Sequence, residues 1–378
     1  MAKPLLAMVG LLFTGAFIFL VMPLYVGALQ DSVGLDHQQS ALMTSIEMVG
    51  VVLASLLGLV VVRRVSWAVL GRNLSLLLLI ANGFSWLSGA DFPALLFSRL
   101  MAGIAAGGLV ALSITAIGDT RNLDRNFALA VVAELLGSGV AFKLLPTLID
   151  SGGIVVIFAS SSALALMAFA LSGWMPLNGQ VAARSNSKRV WKPVWGLLAI
   201  VAFFVAQSSL WAFVERIGLD AGFNLESVAQ ALSLSMLAGA AGALLALGMH
   251  RWVSRMSMMS ICALGQIISL TGFLAGVDFT HYLLAGMLFQ FCWNLWLPAQ
   301  MAMVADADTG GIWMPLVGAC QAIGIAAGPS LVVSVLVPGS WTAVTVVCGA
   351  FIVMSLLLFS VLNFASSGKP IIVCSQMH

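Results

Sequence analysis

Apolar runs of about twenty residues recur twelve times along the chain, separated by short polar breaks, and a helix of that length crosses a hydrocarbon core of about 30 Å. The runs fall at about residues 4–29, 38–62, 74–89, 93–117, 126–149, 153–175, 194–217, 227–249, 256–277, 280–305, 313–337 and 341–364. The pattern predicts an all-α membrane protein of 12 transmembrane helices. Only one polar stretch is long, LNGQVAARSNSKRVWKP, with four basic and no acidic residues; it reads as a cytoplasmic linker. The chain therefore divides into a six-helix bundle over 1–176, a linker over 177–193, a second six-helix bundle over 194–364 and a cytoplasmic tail over 365–378.

The polar side chains inside these runs are the informative exceptions. Arg99 lies in LLFSRLMAGIAAGG, with Gly103 and Gly107 at i+4 and i+8 on the same stripe, where glycine lets a second helix come close. A guanidinium in hydrocarbon is costly, so Arg99 is expected to face the bundle interior and meet an acid or a wet cavity. The bland alternative is a structural lock between helices.

Counted from the span ends at 1.5 Å per residue, Glu47 lies roughly 13 Å and Arg99 roughly 10 Å below the same surface. Lys143 falls at a similar depth, which predicts a three-member cluster with a positive excess. Glu134, nine residues before Lys143, points to the opposite helix face and stands as a second proton-carrying candidate nearer the cytoplasm.

In the second half, Gln207, Trp211 and Glu215 form an i, i+4, i+8 stripe, and Gln290, Asn294 and Pro298 form another beside Trp293 and Trp296. Gln321 adds a further amide. Either stripe can line a cavity or zip two helices together. The proline also frees a carbonyl one turn earlier.

Composition agrees with this pattern: of 378 residues 61% are apolar and only 8% charged, with mean hydropathy +1.08. If the N-terminus is cytoplasmic, the inner loops hold thirteen of the 16 Lys and Arg, and Arg99, Lys143 and Arg216 lie in or at the edge of spans. The outer loops then carry Asp31, Asp36, Asp91, Asp150, Asp220, Glu226 and Asp278 with no basic residue. Both termini are expected inside. The first span lacks a cleavage site and reads as a retained helix.

The five cysteines form no C-x-x-C pair and the four histidines show no metal spacing. No metal and no cofactor is expected, and the basic linker is explained by topology rather than nucleic acid. An intramembrane transferase would need a nucleophile with a base, or a metal cluster, and the scattered histidines argue against it.

Aligning Glu134 with Gln321 brings Gly137 onto Gly324 and Ala141 onto Gly328, and Asp119 onto Asp306 fifteen residues earlier. An internal repeat of this kind is how many secondary transporters are built, with the site between the halves. RLMAGIAAG is similar to the R-x-x-x-G motif of the major facilitator superfamily and GIAAGP to its G-x-x-x-G-P motif, while Pro23 stands where that family tends to have a proline. The chain thus resembles that family, and more narrowly its twelve-span proton-driven efflux and metabolite transporters. The loop between spans 2 and 3 keeps Gly58 and Arg63 of the family pattern, but Val62 takes the acidic position.

The resemblance implies that spans 1, 4, 7 and 10 line a central cavity, spans 2, 5, 8 and 11 join the halves, and spans 3, 6, 9 and 12 face lipid. It further implies export of a small organic molecule by proton antiport; a monomer is expected, and the basic inner loops point to the cell inner membrane. The positive excess suggests an anionic or zwitterionic substrate. Glu47, Arg99, Glu134 and Lys143 would form the charge network, and Gln207, Trp211, Glu215, Gln290, Trp293, Asn294 and Gln321 the substrate surface. A lipid flippase or a proton-coupled importer on the same scaffold are the alternatives.

Overall fold

The structure, a computed structural model, describes residues 3–62, 64–89, 91–118, 120, 123–176, 192–249, 252–274, 278–308, 313, 316–337 and 340–367. Residues 177–191 of the basic linker and 368–378 of the tail lie outside the described residues, as does Asp119 of the repeat. The first half is built of α1 (Lys3–Leu20), α2 (Met22–Val33), α3 (His37–Val61), α4 (Trp67–Ser88), α5 (Phe92–Gly118), α6 (Leu123–Gly152) and α7 (Val155–Leu171). The second half is built of α8 (Pro193–Trp211), α9 (Val214–Asp220), α10 (Leu225–Met249), α11 (Arg255–Ser269), α12 (Phe279–Ala307), α13 (Val317–Val335) and α14 (Thr342–Ser367).

Among the described residues, eleven spans are long and apolar enough to cross a membrane by length and composition. The twelfth, α12, has the length, at 29 residues, but is diluted by His281, Gln290, Asn294 and Gln300. Twelve spans result because α1 with α2, and α8 with α9, each make one broken span. Pro23 stands in the first turn of α2 and lacks the N–H that would bond Phe19 O, so the helix breaks at Val21. The break after Trp211 has no proline, and the apolar run 194–217 gave no sign of it.

The two halves repeat one pattern of neighbours. In the first, α3 packs on α5, α4 on α5 and α7, and α1 on α6 and α7; in the second, α10 packs on α12, α11 on α12 and α14, and α8 on α13 and α14. Between halves the main contacts are α3 with α13 and α6 with α10. Glycine makes the close approaches within each half. A Cβ at Gly103 would strike the Glu47 carbonyl and one at Gly107 would lie 2.6 Å from Val51 Cα, as the stripe beside Arg99 predicts. The counterpart is Gly242 of α10, where a Cβ would strike the Phe291 carbonyl of α12. The aligned Gly137 and Gly324 also match: the first packs on Phe13 of α1, the second on Val201 and Phe204 of α8.

Large apolar side chains are exposed along α3, α4, α6, α7, α10, α11, α13 and α14, as lipid contact requires. On the spans formed by α1–α2, α5, α8–α9 and α12 only Leu6, Phe97, Ile114, Trp195, Leu198 and Leu284 are, among the described residues. Those four are the inner spans. Several acidic residues also have a local role at helix starts. Asp36 closes a capping box with Gln39 on α3, and Asp278 caps α12, where the backbone N–H and ring of His281 hold its carboxyl below the usual range.

Candidate functional site

Arg99 on α5 is fully buried and held by three other elements of the first half. Its Nη1 stands 3.5 Å from Glu47 Oε1 of α3, itself 1% exposed. Nη2 donates to Asn82 Oδ1 and Ser85 Oγ of α4, both at 2.8 Å, and Nε donates to Ser85 Oγ at 3.1 Å. The guanidinium lies 4.7 Å from the centre of the Phe158 ring of α7. Asn82 in turn donates to Ser161 Oγ, and Ser85 to Ser98 Oγ. The expected acidic partner is therefore present.

The pair leaves unused capacity. Glu47 Oε2 and the hydroxyl of Tyr25 on α2 are buried with no hydrogen-bond partner. Asn82 and Ser85 were missed in the sequence, although two polar residues three apart in the apolar α4 would have flagged them.

Lys143 does not join this group. It is exposed on α6 and, among the described residues, makes no ion pair, so the three-member cluster and its positive excess are corrected. Depth along a helix does not settle the partner; angular position does, and Lys143 is exposed. Glu134 is half-buried on α6, apart from the Arg99 group's hydrogen bonds.

In the second half the polar stripes split. Gln207 is buried and exchanges two amide hydrogen bonds, 2.9 and 3.3 Å, with Gln266 of α11, so it zips helices rather than lining a cavity. Asn294 donates to the backbone O of Gln290 at 2.9 Å and to its side chain at 3.3 Å, with Gly239 of α10 against it. The break after Trp211 takes Glu215 off the stripe and sets its carboxyl against Gly27 of α2. Gln321 is half-buried on α13.

Trp211 and Trp293 do come together, 6.4 Å apart, in an aromatic cluster that bridges the halves. Phe19 stands 6.0 Å and Phe204 6.3 Å from Trp293, and Phe142 stands 5.6 Å from Trp211. The carbonyl freed by Pro23, Phe19 O, accepts from Trp211 Nε1 at 3.3 Å. One turn farther along α12, Trp296 packs 4.9 Å from Phe203 and Gln300 follows at i+4. Trp296 Nε1 and both polar atoms of Gln300 are buried without partners. Gln300 was missed because it lies two residues past Pro298, off the Gln290–Asn294–Pro298 stripe.

Further contacts between halves lie toward the end of the bundle that carries residues 34–36 and 221–224. Ser45 Oγ donates to Ala326 O at 2.6 Å and pairs with Ser330 Oγ at 2.8 Å, and Ser233 Oγ donates to Gly139 O at 2.9 Å. Arg216 Nη2 donates to Gly27 O and pairs with Asp31, both at 2.6 Å. His37 packs its ring 5.5 Å from Trp341 and 6.4 Å from Phe213. The buried Cys262, Cys292 and Cys348 and the half-buried Cys320 are free thiols; Cys374 lies outside the described residues.

Solved transporters share this architecture. The structure is similar to the xylose transporter XylE from E. coli in its inward open conformation, with TM-score 0.78 and 15% identity over 94% of each chain. It is similar to a D-xylose-proton symporter at TM-score 0.75 and 16% identity, covering 94% of this chain and 96% of that one. The nucleoside transporter NupG, solved as a point mutant, gives TM-score 0.70 and 12% identity over 97% of this chain and 99% of that one. No curated protein matches the sequence. The profile of the major facilitator superfamily matches residues 7–329. With that match across most of the length, twelve spans and this inner-helix arrangement, the chain belongs to the major facilitator superfamily of transporters.

Proposed function

We propose that this transporter carries a small organic molecule by alternating access, coupled to protons through Glu47. The observation that carries the coupling is the buried Glu47–Arg99 pair, with the Tyr25 hydroxyl acting on the Glu47 carboxyl from α2. A carboxyl in such a place gains from its cation and loses from desolvation, so a change in access on one side alters which effect wins. Glu134, half-buried on α6, is the second candidate.

The substrate is read from the inner helices. Trp211, Trp293, Phe19 and Phe204 offer flat apolar surface, and Trp296 Nε1 with the Gln300 amide offers two donors and one acceptor. With Arg99 paired and Lys143 turned away, no positive excess remains to favour an anionic substrate. A net-neutral molecule with a planar part and a hydrogen-bonding group suits these residues better.

The charge asymmetry of the loops supports cytoplasmic termini in a cell membrane, which puts residues 34–36 and 221–224 outside. Contacts at that end support a conformer closed to the outside. Export is the direction suggested by the likeness to the family's efflux transporters; GIAAGP itself lies in the second half rather than in span 5. The testing experiment is Glu47→Gln in proteoliposomes. The variant is expected to fold and to exchange substrate across the membrane, but not to accumulate it when a proton gradient is imposed; undiminished accumulation would remove Glu47 from the mechanism.

A further inference from the structure

The two broken spans meet where α2 faces α9. There Glu215 is 3% exposed, with Oε1 pressed on Gly27 of the other half and Oε2 without a partner. Its neighbour Arg216 reaches across the same seam to Gly27 O and to Asp31, and Arg216 Nε is buried unpaired. On the other side α9 is anchored within its own half: Tyr282 donates to Val214 O at 2.8 Å, and Gly218 packs on Tyr282 and Val228.

The charges decide what this contact tolerates. Glu215, Arg216 and Asp31 sum to one negative charge when all are ionised, and to zero when one carboxyl holds a proton. Asp31 is 64% exposed and keeps its ion pair with Arg216 in water. The uncompensated charge therefore falls on Glu215, which is buried and meets no protein donor at Oε2, and an uncompensated buried charge is strongly unfavourable.

The other titratable groups near α9 do not supply a balance. Asp220 accepts from Trp341, His37 stacks on Phe213 and Trp341, Glu226 is exposed on α10, and the Tyr282 hydroxyl already donates to Val214 O.

We infer that Glu215 is a second proton-binding site, filled when the α2–α9 seam closes and emptied when it opens, so that this end of the transporter closes on taking up a proton. The inference rests on the alternating-access reading above, but not on Glu47. It also goes beyond the substrate contact first expected of Glu215.

The test places spin labels at Gln38→Cys and Ala221→Cys, exposed positions on opposite halves, in lipid nanodiscs with Cys320 and Cys374 replaced by serine. Pulsed electron–electron distances are then followed from about pH 8.5 to about pH 5.5, where one linked proton changes the closed-to-open ratio by up to about tenfold per pH unit. The native pair is expected to shift toward the short distance as pH falls, and Glu215→Gln to stay short throughout. Glu47→Gln should keep the native response, which separates this site from the coupling site. Asp31→Asn, an exposed change, should move the midpoint to lower pH, because it removes an anion that favours the proton. A distance that ignores pH, a Glu215→Gln protein that titrates like the native one, or an Asp31→Asn protein with an unmoved midpoint would each overturn the inference.

Discussion

Arg99 is held by geometry that only a guanidinium meets. Its fork reaches Glu47, Asn82 and Ser85 at once while its face lies on Phe158, and a lysine ammonium offers neither the planar fork nor the stack. Arg99→Ala strands Glu47 in the core and should destabilise the protein by about 3–5 kcal/mol, read as a fall in melting temperature in detergent. The double change with Glu47→Gln should recover much of that loss, since it removes the stranded charge. Full additivity of the two single effects would show that the residues do not interact.

Gln300→Leu should weaken substrate affinity at an unchanged melting temperature, whereas Lys143→Ala should leave both alone; a selective loss of anionic substrates in Lys143→Ala would restore the role first expected of it. At this scale the sequence revealed that Arg99 needed an acid and which acid lay at its depth. It could not reveal Lys143's direction, because an exposed lysine and an inward one have the same spacing along the chain.

Helices in lipid gain little from burying apolar surface against each other, so close packing must come from shape. The Arg99–Gly103–Gly107 stripe makes that shape: α3 lies directly on the two glycines, in line behind the ion pair. Gly103→Leu should therefore push α3 from α5 and loosen the Glu47–Arg99 contact, at a cost of about 1–3 kcal/mol or more. Both the melting temperature and proton-driven accumulation should fall, while the same change at Gly83, where a Cβ meets nothing within 4 Å, should be silent.

Spans and glycine stripes were legible because hydropathy and i+4 spacing encode them directly. The break at Pro23 was legible for the same reason, since the missing N–H is written in the residue. The break after Trp211 was not, and it carried Glu215 from an expected cavity stripe to the seam.

Two bundles with the same neighbour pattern can rock about the contacts of α3 with α13 and α6 with α10. The Oγ atoms of Ser45 and Ser330 are 2.8 Å apart across the first of these. A Ser45→Cys/Ser330→Cys pair should cross-link under mild oxidation and stop transport, and reduction should restore it. Transport that continues in the fully cross-linked protein would mean that this seam need not part. The repeat was readable in the sequence from a few glycines, but the faces on which the halves meet were not, because both faces are apolar and alternate in the same way as lipid-facing ones.

Four of the hydrogen bonds that tie the halves together end on main-chain oxygens: those of Phe19, Gly27, Gly139 and Ala326. A main-chain acceptor survives a substitution that preserves the helix and finds room, so at Phe19, Gly139 and Ala326 the bond does not depend on the accepting side chain, whereas Gly27 is fixed because a Cβ there would meet the Glu215 carboxyl. Three of these four fastenings can thus change residue on the accepting side without loosening the link between the halves.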